Sequence, residues 1–184
     1  DQSYELGSDG SGVDYLTARF VAGAKIKAAH GDHAAAADRL AAGMKVAQQS
    51  RLPRLAAAVN NERIRLGIEI APQVAARLRS PRTIPRDDGI AMMTAELNED
   101  SAIHLLSASA SADHHEQACL RAAELLAGID RERRPFAALS AELLLVETLT
   151  ATGRQHDAYT RLPHATARCT ELGLSRLLID AGLR

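Results

Sequence analysis

The 184-residue chain is 46% hydrophobic and 24% charged, the balance of a folded domain rather than a disordered one. Its 22 basic and 23 acidic residues leave a formal charge of -1, so bulk electrostatics supplies no pull toward nucleic acid or anionic membranes. Aromatics make up only 3%, Trp is absent, and Ala and Leu dominate the apolar content, which favours helices over strands and predicts an all-α fold.

In chain order, Asp1 to Gly12 is polar and Gly/Ser-rich and lacks Met, so 1–12 reads as a flexible linker ahead of a helical repeat domain over 13–184, the whole a fragment of a larger protein. From Val13 to His30 the apolar positions Leu16, Phe20, Val21, Ala24 and Ala28 return every three or four residues, the period of an amphipathic helix. Gly31-Asp32 stops it, and Asp32 is placed to cap a second helix over 33–50. Pro53 opens a third helix, carried to about Ile70 by Leu55, Val59, Ile64, Leu66 and Ile68. Pro72, Pro81 and Pro85 lie among Arg77, Arg79, Arg82 and Arg86, which predicts a short helix near 73–79 and then an exposed loop suited to subunit contact. Gly89 to Ala110 reads as one helix, and Asp113 is the expected cap of the next, which ends at Gly128 before the charged connector Asp130 to Pro135. Helices over 136–152 and 156–172 follow, separated by Gly153 and closed by Gly173.

Two distant stretches share a grammar. Gly31 is followed by Ala36, Leu40 and Gly43; Gly153 is followed at the same offsets by Ala158, Leu162 and Ala165. A glycine ends one amphipathic segment and the alanine and leucine begin the stripe of the next. With turn centres near 31, 71, 112 and 153, the spacing is near forty, longer than the roughly 34 residues of a plain tetratricopeptide repeat. The expected architecture is a tetratricopeptide-like superhelix of about four antiparallel helix pairs, a fold in which each pair buries its apolar face on its neighbours.

The carboxy-terminal segment adds a resemblance. Gly173, Arg176, Leu178, Ile179, Asp180 and Gly182, after an alanine-containing last helix, resemble the close of the sensor region in large LuxR-type, MalT-like ATP-dependent transcriptional regulators. The resemblance implies a bacterial, cytoplasmic domain for effector sensing and oligomerisation, binding a small-molecule inducer or a partner peptide or protein. It would reach ATP and DNA only through domains absent from this chain. No G-x-x-x-x-G-K-[ST] phosphate loop occurs here. The alternative is a free-standing tetratricopeptide-like scaffold for protein–protein interaction.

If the first helix of each pair lines a concave face, the pattern places Lys25, Asn60, Arg63, Ser107 and Glu147 there over an apolar floor. A set of that chemistry suits an anionic or polyhydroxylated ligand or an extended peptide; the plainer reading is ordinary solvated polar groups. Metal binding is not expected, because His30 and His33 flank a turn, His114 and His115 are adjacent, and no acid or thiol sits at ligand spacing. No nucleophile motif surrounds any Ser or either cysteine, so neither catalysis nor a cofactor is expected. Cys119 and Cys169 lie within helical patterns and form no disulfide framework, which points to a reducing compartment. No run approaches the roughly twenty apolar residues of a membrane span.

Overall fold

A computed structural model describes residues 11–85 and 89–180; the linker expected over 1–12 lies outside these except for Ser11 and Gly12, as do Arg86 and Gly182. Every regular element among the described residues is helical. They are α1 (Ser11–Thr17), a π-helical segment (Ala18–Ala22), α2 (Gly23–Ala29), α3 (His33–Gln49), α4 (Pro53–Arg65), α5 (Pro72–Arg79), α6 (Gly89–Ser107), α7 (Ala112–Ala127), α8 (Pro135–Ala151), α9 (Gln155–Glu171) and α10 (Ser175–Asp180). The chain divides into two compact units, with the division inside α6 after Ser101.

In the first unit α2 and α3 form a hairpin about Gly31, and α4 packs on α3. The apolar stripes meet in a core of Phe20, Ala24, Ala36, Leu40, Ala47, Leu55 and Val59. The π segment widens the helix by one residue and takes a carbonyl out of the α pattern; the Arg39 Nε donates to the Arg19 oxygen at 2.8 Å. Gly23 makes that reach feasible, since a Cβ there would collide with the Arg39 side chain. Periodicity alone gave no sign of this widened turn.

Five helix ends share one device. The residue after the C-cap takes a positive φ at Gly31 (79°), Arg51 (52°), Gly67 (68°), Gly153 (76°) and Gly173 (67°). The following N–H then bonds back five residues, as in Asp32 to Lys27 (3.0 Å), Leu52 to Ala47 (2.8 Å) and Arg154 to Leu149 (2.9 Å). Gly67 is the stop signal that the apolar pattern through Ile70 concealed: α4 ends at Arg65, and Ile68 N–H closes onto Arg63. Arg82 supplies a different cap, its Nη2 donating to the last carbonyls of α5 at Arg77 (2.8 Å) and Leu78 (2.9 Å).

In the second unit α8 lies against α7, α9 and α10 and is buried on most of its circumference, from Ala138 and Leu139 to Thr148 and Leu149. Leu139, Leu143, Ala165 and Cys169 make a core that Leu162, Leu174, Leu177 and Leu178 extend. Pro163 sits inside α9 on the exposed side, where the lost backbone donor leaves a carbonyl in reach of water. The start of α7 differs from expectation: Ser111 is the N-cap and Asp113 lies in the first turn. His114 and His115 both reach back to Ser109, Nδ1 to its Oγ (2.7 Å) and Nε2 to its carbonyl (2.6 Å), and so fix the turn.

Candidate functional site

The five concave-face candidates divide between the units. In the first, Lys25 Nζ lies 3.5 Å from Glu62 Oε2. Asn60 is half-buried, and Arg63 donates through Nη2 to the Glu69 carbonyl beyond the end of its own helix. A buried polar cluster lies between these two on α4: Asn61 and Glu62 are buried, and Asn61 Nδ2 donates to Asp100 Oδ1 (2.5 Å) and Ser101 Oγ (3.2 Å). Arg65 Nη1 approaches Asp100 at 3.6 Å. Leu55 and Val59 set the buried phase of α4, and seven residues from Leu55 falls on Glu62. Asn61 and Asp100 carry no apolar signal, so only the three-dimensional pairing exposes them.

In the second unit Ser107 Oγ is buried with no hydrogen-bond partner among the described residues, and the exposed Glu147 lies 3.9 Å from His104 Nδ1. No hydrogen bond joins Ser107 Oγ to Glu147 among the described residues. Two acidic residues of α6 have partners within the first unit: Asp100 meets Asn61 and Arg65, and Glu99 faces Arg82 Nε at 4.0 Å. Among the described residues no group of three His, Cys, Asp or Glu side chains is placed to hold a metal ion.

A more developed site lies between α7, α8 and α9. Glu142, 6% exposed on α8, receives Arg161 Nη1 at 2.8 Å and approaches Arg131 Nη2 at 3.3 Å, so one buried carboxylate is held by two guanidinium groups. Seven residues before Arg161, Arg154 grips Asp157 Oδ2 through Nε (3.0 Å) and Nη2 (2.7 Å). That hydrogen bond raises the Arg154 pKa further above its ordinary value. Its Nη1 points to Cys119 Sγ at 3.8 Å. These two arginines line a cavity of about 330 Å³ with Ala123, Leu145 and Leu149 at its apolar wall and the exposed Leu120 at its edge. The second thiol, Cys169, is fully buried in the core, and burial pushes its pKa up. Arg154 and Arg161 are not among the residues that the sequence marks as a site: Arg154 is the N-cap of α9 and Arg161 lies on it, and only the meeting of three helices makes them line one cavity.

No family model matches the chain, and no solved structure matches it. Among curated proteins it is similar to the serine/threonine-protein kinase PknK of two Mycobacterium tuberculosis strains and of Mycobacterium bovis. Each is 63% identical over 183 residues, covering the full chain. The chain spans 16% of the length of these relatives. This corrects the resemblance to LuxR-type, MalT-like regulators and with it the expected role in transcription regulation: a match over the whole chain is to a protein kinase by name. It supports a free-standing scaffold no better. The physical reason for the error is visible in α10. Gly173 is a positive-φ helix stop, and Leu174, Leu177 and Leu178 pack on the Leu139–Cys169 core, so the motif records how one helix follows another rather than a function.

Proposed function

We propose that the chain is a non-catalytic helical region of a longer serine/threonine-protein kinase, built on tetratricopeptide-like helix pairs and acting by binding a small molecule or a peptide segment. The observation that carries this reading is the 63% identity along the full chain to one sixth of a protein named as such a kinase. The helix hairpins at Gly31 and Gly153, with the same turn and the same small-residue contacts behind it, support the tetratricopeptide-like assignment. The sequence supports the non-catalytic assignment: both phenylalanines, Phe20 and Phe136, stand outside any Asp-Phe-Gly, and no His-Arg-Asp occurs, so the residues that hold magnesium and accept the substrate proton in protein kinases would come from elsewhere. Two buried, unpaired thiols suit a reducing cytoplasm, and no helix of the described residues is long and apolar enough to cross a membrane.

The test is direct. The purified chain, incubated with radiolabelled ATP and magnesium in the presence of a generic basic substrate protein, is expected to label neither itself nor the substrate. Stoichiometric phosphorylation by the chain alone would overturn the assignment.

A further inference from the structure

The cavity of the second unit has a composition that limits what it takes. Its wall is aliphatic, with Ala123 from α7 and Leu145 and Leu149 from α8. Its polar groups all come from α9 and the residue that starts it: Arg154, Asp157, Thr160 and Arg161. Each guanidinium has its own carboxylate, Arg154 with Asp157 and Arg161 with Glu142, and Arg131 adds a second cation on Glu142, so this group of five carries one net positive charge. Among the described residues Arg161 makes one side-chain hydrogen bond, Nη1 to Glu142, which uses one of the five donors of its guanidinium and leaves the others for a ligand. Arg154 is anchored through Nε and Nη2, and its Nη1 meets only the weak acceptor Cys119 Sγ. Both cations are thus held in position by acids behind them while presenting donors to the opening, the preorganisation that a bound anion needs. The volume of about 330 Å³ falls at the small end of ligand sites.

We propose that this cavity binds an amphipathic monocarboxylate, a small molecule whose apolar body lies on Leu145, Leu149 and Ala123 and whose carboxylate is held by Arg161 and Arg154. A monocarboxylate balances the one net charge of the Arg131, Arg154, Arg161, Glu142 and Asp157 group, whereas a phosphate dianion would add uncompensated negative charge beside Asp157. An alcohol or alkane of the same length satisfies the wall and leaves the donors unused. Leu120, 64% exposed at the edge, covers part of the ligand body. Binding places the ligand over Cys119, the one thiol that lines the cavity.

Calorimetric titration of the full chain with decanoate, below its micelle concentration, is expected to saturate at one equivalent, with decanol binding at least tenfold more weakly. Arg161→Gln should lower decanoate affinity about tenfold, since the second donor set remains on Arg154. Glu142 keeps Arg131 as its partner in that variant, so an unchanged helical circular dichroism spectrum is expected. Leu120→Glu, on the exposed edge and without a folding role, should also weaken decanoate by about tenfold through charge repulsion. Saturating decanoate should slow alkylation of Cys119 in the unmodified chain. Absence of saturable binding overturns the proposal. So does equal affinity for decanol, which would mean an apolar groove without carboxylate recognition, or full retention of affinity in both variants.

Discussion

The turns at Gly31 and Gly153 have the same backbone and different side-chain chemistry. Both glycines take φ near 80°, at 79° and 76°, and both are followed by an N–H bonded five residues back, at 3.0 and 2.9 Å. After that they diverge. Asp32 caps α3, its Oδ1 accepting the Ala35 N–H at 3.0 Å. Arg154, in the matching place, has no acceptor to offer the free N–H groups of α9; its guanidinium turns to Asp157 and the cavity instead. The shared part of the pattern therefore specifies the fold, and the departure from it gives up a helix cap to place a cation at a cavity lip.

The largest effect that separates the two hairpins is expected nine residues after each glycine. Leu40 is fully buried while Leu162 is half-buried, so Leu40→Ala should cost about 2–5 kcal/mol and Leu162→Ala distinctly less, measured by urea unfolding. Three residues further, the first hairpin has Gly43 and the second Ala165. A Cβ on Gly43 would sit 2.9 Å from Phe20 Cβ and 3.1 Å from Val59 Cγ2, so Gly43→Ala should destabilise by about 1–3 kcal/mol, although the second hairpin already tolerates alanine there. Equal stability of that variant and the parent would show that α3 can move away from the π segment. The caps should give a smaller contrast: Asp32→Ala is expected to lose about 0.5–2 kcal/mol. The smallest concerns Cys169. Burial raises its thiol pKa in the folded state, so the neutral thiol is the form folding favours; stability is full below the ordinary cysteine value of 9.0 and falls as pH rises through it. Cys169→Ala should flatten that alkaline decline.

Much of the fold was readable from residues. The glycines at 31, 153 and 173, Asp32 as cap and Pro53 as first helical residue are local signals whose meaning does not depend on distant contacts. Arg51, with a φ of 52°, shows the limit: the same turn is made by a residue that gives no warning of it. The candidate site was less legible. Asn60 and Arg63 follow the helical phase, whereas the buried polar pair Asn61 and Glu62 lies between them, where a polar side chain gives no apolar signal of its burial. The cavity groups on α9 depend on three helices meeting, and no linear pattern encodes that. The closing residues misled for a related reason: Gly173 stops a helix and Leu174, Leu177 and Leu178 pack on the core, roles that carry no functional information.

The exchange of cap for cavity is tested most directly by Arg154→Asn in the full chain, followed by both thermal unfolding and decanoate titration. A side-chain acceptor at the N-cap should stabilise α9 by about 0.5–2 kcal/mol, while loss of the guanidinium weakens decanoate binding. Higher stability with weaker binding is the predicted result. Unchanged or lower stability, or binding that persists undiminished, would contradict the claim that this position trades one for the other.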